Sequence, residues 1–361
     1  MPTVVVGMSG GVDSSVAAAI LKEQGFEVIG ATMRLLPCGA EATTLEGCCG
    51  PRGAAEALRV AHILGIPHYE VDFADLFSQK VIADFCAEYA RGRTPNPCIR
   101  CNQLIKFGAF LDWALRSLGA DFVATGHYAR IERDGSRTVL KSALDSHKDQ
   151  SYVLCMLTQE QLAHSLMPIG CHTKEAVRAM ARDRGLPVAD RPESQEICFI
   201  PDRDYRRFVG NRIPAGARPG PIMDPAGKVL GQHSGLINYT VGQRRGLGIA
   251  ARYPLYVIAI DPERNAVIVG PRSAVYASEL EAEGVNWIAG EPPKGEIRVS
   301  AKVRYLHAAA AALVDPLEGV RVRVRFDEPQ MAITPGQFVV FYDCETVLGG
   351  GVISEVFRPC N

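Results

Sequence analysis

The 361-residue chain has no apolar run longer than seven residues (Ala308–Val314), far short of the ~20 that a membrane-crossing helix needs. Its first residues, Met1-Pro2-Thr3-Val4-Val5-Val6, hold no charged segment ahead of an apolar one, so no secretory signal is expected. It has no internal repeat and no low-complexity tract. With 47% hydrophobic and 22% charged residues, disorder, collagen and coiled coil are excluded. The net charge is only −1, so the whole molecule does not attract nucleic acid and any RNA site must be a local patch. Neither a Walker Gly-Lys-Ser/Thr nor a Gly-x-Gly-x-x-Gly fingerprint follows the first strand. His62, His68, His164, His172 and His307 show no metal-ligand spacing, and the two tryptophans, Trp113 and Trp287, read as packing residues. What is left is a soluble, cytoplasmic protein of about two to three domains at ~150 residues each.

Cysteine, by contrast, is plentiful and uneven. There are eleven, and Cys48-Cys49 and Cys98-x-x-Cys101 stand too close together for a secreted disulfide framework. That points to a cytosolic protein that uses thiols for chemistry. Cys86, Cys155 and Cys344 sit in apolar or helical contexts and are expected as small core residues. Cys38, Cys48 and Cys49 fall in a loop near the site predicted below and read as incidental thiols, with metal or sulfur binding as the alternative.

Strands and helices alternate over the first third. Thr3–Met8 is a short β-branched run, hence a buried strand. Ser14–Gln24 places Val16, Ala17, Ile20 and Leu21 at helical spacing, and Gly25 closes it. Strand Phe26–Met33, helix Ala54–Leu64, strand His68–Phe73, helices Gln79–Arg91 and Asn102–Leu118, and strand Asp121–Gly126 follow. Such alternation predicts a parallel sheet with right-handed crossovers, with ligands beyond the C-terminal ends of the strands. Residues 150–200 read as helical, and 201–250 are rich in Gly, Pro and Arg. Beyond 253, short alternating runs such as Tyr256–Ile260, Arg298–Val303, Val320–Phe326 and Phe338–Tyr342 predict a β-barrel. The expected organisation is a Rossmann-like α/β domain over 1–204, a small basic linking domain over 205–272 and a C-terminal β-barrel over 273–361.

Between the first strand and helix stands Gly7-Met8-Ser9-Gly10-Gly11-Val12-Asp13-Ser14-Ser15. Glycines permit a tight turn and close backbone approach to a ligand. The helix that follows turns its N–H groups and positive dipole toward an anion, and the serines add donors. The chemistry is that of a phosphate site. Further on, Arg93-Thr94-Pro95-Asn96-Pro97-Cys98-Ile99-Arg100-Cys101-Asn102 precedes a long helix, with Pro97 suited to its start. The helix dipole, Arg100 and Lys106 would favour a Cys101 thiolate. Glu193-Ser194-Gln195-Glu196-Ile197-Cys198-Phe199-Ile200 joins a polar stretch to a thiol, which core strands rarely do.

Ser9-Gly10-Gly11-Val12-Asp13-Ser14 resembles the pyrophosphate loop of the ATP pyrophosphatase superfamily. Together with Arg93–Phe107, Ala124–Arg130, Lys148–Tyr152, Glu193–Phe199, Gly242–Leu247 and Lys302–Tyr305, it is similar to the tRNA-specific 2-thiouridylases, which replace O2 of the wobble uridine with sulfur. The matching segments span residue 7 to about 340. The resemblance implies ATP with Mg²⁺ at Gly7, Met8, Ser9, Gly10, Gly11, Val12, Asp13, Ser14, Met33 and Gly126. It implies Cys101 as nucleophile and Cys198 as the persulfide-bearing thiol. Asn96, Pro97 and Cys98 would touch the target base, and His127, Lys148, Asp149, Gln150, Arg304, Tyr305 and Gln337 would touch tRNA. The sulfur would come from a donor protein (a cysteine desulfurase or sulfur relay) or from free sulfide.

One departure stands out. Many members carry Asp where this chain has Cys98. Two routes follow: a Cys198 persulfide resolved by Cys101, or a [4Fe–4S] cluster on Cys98, Cys101 and Cys198 with one iron open to sulfide. On the second, Cys98 is functional rather than a filler. Another adenylating ligase or amidotransferase, an ATP-binding RNA chaperone and a redox sensor are the remaining alternatives.

Electrostatically, 201–250 is the best RNA candidate. Arg203, Arg206, Arg207, Arg212, Arg218, Lys228, Arg244 and Arg245 stand against Asp202, Asp204 and Asp224, a net +5. Arg321, Arg323 and Arg325 would share one strand face, either an RNA contact or an ordinary solvated face.

Overall fold

The computed structural model describes residues 1–37, 51–135, 137–192, 197–200, 202 and 204–358. Cys38, Cys48, Cys49, the 193–196 stretch and Arg203 lie outside the described residues.

The first unit is a parallel sheet. Its strands are β1 (Thr3–Gly7), β2 (Glu27–Arg34), β3 (His68–Asp72), β4 (Phe122–Ala124) and β7 (Ser165–Leu166), in the order β3-β2-β1-β4-β7. Val4, Val5 and Val6 are fully buried because both faces of β1 are covered. Val4 and Val6 pack with Val16 and Ala17 of α1 (Val12–Glu23) and Val60 and Ala61 of α2 (Pro51–Leu64). Val5 faces the other way, onto Phe110, Leu111 and Ala114. Each such side chain contributes about 1.5–3 kcal/mol on burial. The chain steps outward from β1 through β2 to β3, then returns to place β4 on the other side of β1. That reversal is the switch point at which open α/β sheets bind ligands.

A hairpin that the sequence reading does not contain follows β4. Strands β5 (Ala129–Asp134) and β6 (Arg137–Ser142) pair with each other, and β6 reaches the C-terminal unit through Lys141 opposite Thr346. Residues 150–200 are less helical than expected. They hold a short turn of helix at Ser151–Leu154, α3 (Gln159–Ala163), the two-residue β7 and α4 (Lys174–Asp183).

The central unit carries β8 (Gly220–Met223), β9 (Val229–His233), β10 (Tyr256–Asp261) and β11 (Ala266–Gly270), ordered β10-β11-β8-β9. Tyr256–Ile260 thus belongs to this sheet and not to the C-terminal barrel. The barrel uses β12 (Tyr276–Trp287), β13 (Ile297–Lys302), β14 (Ala310–Leu317), β15 (Arg321–Met331), β16 (Phe338–Asp343) and β17 (Thr346–Phe357). The order β12-β15-β14-β13-β16-β17 closes through β12–β17 pairing, leaving these six strands without an open edge. Cys86 and Cys155 are buried as expected, but Cys344 is exposed. It sits at φ 52° in the turn between β16 and β17, so its environment is a tight hairpin and not a core. Among the described residues no helix is long and apolar enough to cross a membrane.

Candidate active site

Loop 7–15 leaves the C-terminal end of β1 at the switch point. Gly10 has φ +71°, and a Cβ there would lie 2.2 Å from the Gly53 carbonyl oxygen. Only glycine fits, because both the left-handed backbone and the approach of α2 exclude a side chain. Gly11 is the N-cap of α1 and offers no side chain to cap it. Serines fix the loop instead. The Ser15 hydroxyl donates to the Gly11 carbonyl at 2.8 Å, and the Ser9 N–H donates to Ser14 Oγ at 3.2 Å. The helix N-terminus therefore opens at the strand end without a capping side chain, an anion-binding geometry. Gly126, just after β4, presses on the same turn: its Cβ would lie 2.5 Å from Ser14 N. The Met33 methyl, at the end of β2, lies 3.5 Å from where a Gly7 Cβ would stand. The fold thus brings Gly7–Ser14, Met33 and Gly126 to one point.

Asp13 is held by residues that sequence reasoning missed. Both of its carboxylate oxygens lie 2.8 Å from Lys174 Nζ, and the Tyr128 hydroxyl donates to Oδ1 at 2.8 Å. The Lys174 side chain is only 5% exposed and that of Asp13 30%, so a buried ammonium meets a partly exposed carboxylate in a charge-assisted pair. Arg191 Nη1 donates to the Gly10 carbonyl at 2.6 Å. One signal was available for Lys174. It opens helix α4 directly after the N-cap Thr173, where a cation opposes the helix dipole. A local rule broken in this way marks a residue held for another reason.

Cys98 and Cys101 sit on the neighbouring helical run, and Cys198 in a turn far along the chain. Asn96 caps it by accepting the Ile99 N–H at 3.3 Å, and Pro97 is its first residue. Pro97–Cys101 is α-helical, Asn102–Ala109 is wound more widely as a π-helix, and Phe110–Leu118 completes the run. Wide turns of this kind recur at functional sites. Cys101 is buried in an apolar cluster with Phe77, Phe85, Tyr89 and Phe199, and Cys198 and Met33 pack against that same cluster. Cys98 is exposed. Among the described residues no three His, Cys, Asp or Glu side chains gather as a metal-ligand set, so Cys98, Cys101 and Cys198 do not converge on a cluster site here. Arg100, expected beside the Cys101 thiolate, directs its guanidinium to Asp84 (3.6 Å), Gln103 (3.1 Å) and the Phe338 ring.

The residues expected to touch tRNA carry internal contacts. His127 is buried, with Thr125 Oγ1 2.7 Å from Nδ1 and Lys106 Nζ 3.5 Å from Nε2. Burial, reinforced by the Lys106 charge, holds its pKa well below the usual imidazole value. Asp149 accepts the Ala143 and Ser151 N–H groups. Gln150 accepts the Tyr128 N–H at 2.9 Å and so braces the tyrosine that reaches Asp13. Asn102, next to Cys101, donates to the Val153 carbonyl at 3.0 Å, tying the thiol helix to the turn after Lys148–Gln150. Lys148 is half-buried. Arg304 donates to the Met331 carbonyl, Tyr305 packs on Tyr152, and Gln337 donates to the carbonyls of Thr94 and Pro95.

The two arginine groups fare differently. Arg206, Arg207, Arg212, Arg218, Lys228, Arg244 and Arg245 are all exposed. Arg321, Arg323 and Arg325 instead lie opposite Glu283, Glu281 and Glu279 of β12. Arg323 reaches Glu281 at 2.7 Å and Glu279 at 3.3 Å. The triplet is one side of a cross-strand charge ladder, so the ordinary reading of that strand face holds.

Comparison with known proteins bears on the whole chain. Residues 2–202 match the tRNA methyl transferase HUP domain, 206–271 the tRNA methyl transferase PRC-barrel domain and 277–353 the aminomethyltransferase beta-barrel domain. The tRNA-specific 2-thiouridylase MnmA 1 of Caldanaerobacter subterraneus is 53% identical over 359 residues, covering 98% of each chain. The chain belongs to the tRNA-specific 2-thiouridylase family. The family members of Moorella thermoacetica (53% identical, 98% of this chain and 99% of that one) and Halothermothrix orenii (50%, 99% and 100%) match at similar length. A family-wide α/β domain, a PRC-barrel-like domain and a closed β-barrel therefore account for all three units seen here.

Proposed function

We propose that this chain is a tRNA-uridine 2-sulfurtransferase that activates O2 of the wobble uridine with ATP and replaces it with sulfur. Membership of the 2-thiouridylase family along the full chain supports this reading. The observation that carries it is the meeting of an uncapped helix N-terminus, with Asp13 beside it, and a cluster that gathers Met33, Cys101 and Cys198. Domains divide as 1–204, 205–272 and 273–361, and the enzyme works in the cytosol.

In the first step, uridine O2 attacks the α-phosphate of magnesium-bound ATP. The α–β bond breaks and pyrophosphate leaves. The N–H groups at the start of α1 bind the departing phosphates. A carboxylate suits Mg²⁺, and Lys174 already places a cation at Asp13. Asp13 would hold the Mg²⁺, which would neutralise phosphate charge, and the Lys174 ammonium beside it would face phosphate oxygen. Met33 and Gly126 border the adenine.

In the second step, the terminal sulfur of a Cys198 persulfide attacks C2, and AMP leaves. The Cys101 thiolate then attacks the Cys198 sulfur. A Cys101–Cys198 disulfide forms, the bond to the transferred sulfur breaks, and 2-thiouridine is released. Two electrons from an external dithiol, itself oxidised to a disulfide, reset the pair. A desulfurase or a relay protein supplies the sulfur already as a persulfide. Free sulfide supplies it only by attacking the Cys198 sulfur of the Cys101–Cys198 disulfide, which breaks that bond, forms the Cys198 persulfide and releases the Cys101 thiolate in place of the external reduction. Asn96, Pro97 and Cys98 border the base. His127, Lys148, Asp149, Gln150, Arg304 and Tyr305 shape the tRNA surface, with exposed Arg206, Arg207, Arg244 and Arg245 on its phosphates.

The persulfide route is favoured because it needs only the two thiols that share one cluster, Cys101 and Cys198; the iron–sulfur route, which adds Cys98, is the alternative. Anaerobic purification with iron and sulfide quantification tests that choice. Stoichiometric iron, lost in Cys98→Asp together with activity, would restore the cluster.

A further inference from the structure

The segment that leads into the thiol helix is held by all three units at once. Arg93 pairs with Glu88 at 2.7 Å in the first unit and with Glu283 of the barrel at 3.2 Å. The Thr94 N–H donates to the Pro335 carbonyl at 2.9 Å, and Thr94 Oγ1 lies 3.1 Å from Thr240 Oγ1 of the central unit. Gln337 donates its side-chain amide to the Thr94 carbonyl at 2.9 Å and to the Pro95 carbonyl at 3.2 Å. Gly336 has φ +89°, and a Cβ there would lie 2.9 Å from both Arg93 Cβ and Thr94 N. The turn is anchored in turn to β17, since Gly336 N–H donates to the Ile353 carbonyl and Ile353 N–H to the Gln337 carbonyl. Pro95 carries no amide hydrogen, and the next residue is the N-cap Asn96.

We propose that Gln337 is a positioning residue: the barrel turn 334–337 sets the pose of the Asn96–Cys101 segment by gripping the backbone just ahead of it. The inference deepens the functional reading above, since it takes Cys101 as the thiol whose pose matters. Two carbonyls at the start of a helical run fix its direction, so a barrel that shifts on tRNA would carry the thiol with it. This role differs from a direct tRNA contact by Gln337. A contact would weaken affinity; a grip changes reactivity at saturating tRNA.

The test uses the full-length protein with Gln337→Glu, which keeps the shape and removes both donors, and Gly336→Ala, which wedges the same junction without touching the amide. Three readouts are taken: tRNA affinity by filter binding, 2-thiouridine formation at saturating tRNA, and the rate of Cys101 alkylation by iodoacetamide mapped by peptide mass spectrometry. The expected result is roughly tenfold slower thiolation and roughly tenfold faster Cys101 alkylation in both variants, in Gln337→Glu as loss of ordinary hydrogen bonds gives and in Gly336→Ala because the new methyl displaces the Arg93–Thr94 backbone, with tRNA affinity within about twofold. Weakened tRNA binding with unchanged Cys101 alkylation would overturn the grip in favour of a tRNA contact. Unchanged alkylation with unchanged affinity would overturn it too. Alkylation does not depend on sulfur chemistry, so thiolation surviving in Cys101→Ser would refute the nucleophile assignment separately, without deciding the grip.

Discussion

The pyrophosphate loop and the thiol segment are built in opposite ways. The loop's motif is local: nine consecutive residues, Gly7–Ser15, carry its turn, its donors and its helix start, and its own serines brace it, with Lys174, Tyr128 and Arg191 added from afar. The thiol segment is assembled at long range. Cys101 and Cys198 meet on a cluster drawn from several helices, and the backbone ahead of them is held from the central unit and the barrel. A site that must only bind phosphate can be a rigid local motif. A thiol that must meet a base brought by a large RNA is better placed where the units join, because any of them can then influence it.

The largest expected effect separates these halves. On its proposed role as the Mg²⁺ ligand, Asp13→Ala should abolish tRNA-dependent pyrophosphate release, by about a thousandfold or more, since such a loss costs several kcal/mol of transition-state stabilisation. The fold should survive at reduced stability, because the 5% exposed Lys174 ammonium loses its carboxylate. Normal pyrophosphate release would refute its assignment. Cys101→Ser and Cys198→Ser should each stop 2-thiouridine formation while ATP binding, followed by equilibrium titration, stays intact. Wild-type thiolation by either would remove that cysteine from the mechanism.

A test of the junction between sheet and loop comes next. Gly126→Ala should destabilise the protein by about 1–3 kcal/mol in denaturant titration and weaken ATP binding, because the new methyl must push the Asp13–Ser14 backbone away. Unchanged ATP affinity would mean that β4 does not shape the nucleotide site. For the two arginine groups, neutralising Arg206, Arg207, Arg244 and Arg245 should flatten the slope of log tRNA affinity against log salt, by up to ~0.7–0.9 for each phosphate no longer neutralised. Replacing Arg321, Arg323 and Arg325 with Gln should leave that slope alone and cost about 1 kcal/mol of stability, as cross-strand ion pairs do. The reverse pattern would move the RNA to the barrel face.

The smallest effect concerns pH. His127 has a folded pKa below its ordinary 6.5, so the unfolded chain binds more protons as pH falls. Stability should therefore drop as pH falls below about 6.5, by at most ~1.4 kcal/mol per unit, and His127→Gln should flatten that part of the melting-temperature profile. An unchanged acid limb would show that His127 does not stay neutral in the fold.

Much of this contrast was legible in the sequence, for a physical reason. The loop is contiguous, so Ser9–Ser14 announced it without any structure. The α/β alternation and the barrel were readable from periodicity. For Lys174 the one local signal, a cation at a helix start, named no partner, because Asp13 is 161 residues away. The grip of Gln337 on Thr94 spans 243 residues. The neutralised face of β15 was equally hidden. Alternating Arg and Val predict a charged face, but only the β12–β15 register reveals the glutamates opposite. The β5–β6 hairpin was missed because it completes its pairing on a strand from the far end of the chain.

The central claim is that one chain couples adenylation at the local loop to sulfur transfer at the assembled thiols. The direct measurement is a single incubation of the purified protein with ATP, Mg²⁺, tRNA lacking the modification and a persulfide donor, with AMP, pyrophosphate and 2-thiouridine quantified together. The account predicts all three in about equal amounts, none without tRNA, because the adenylated uridine is the obligatory intermediate. Formation of 2-thiouridine without AMP, or AMP release that does not depend on tRNA, would contradict it.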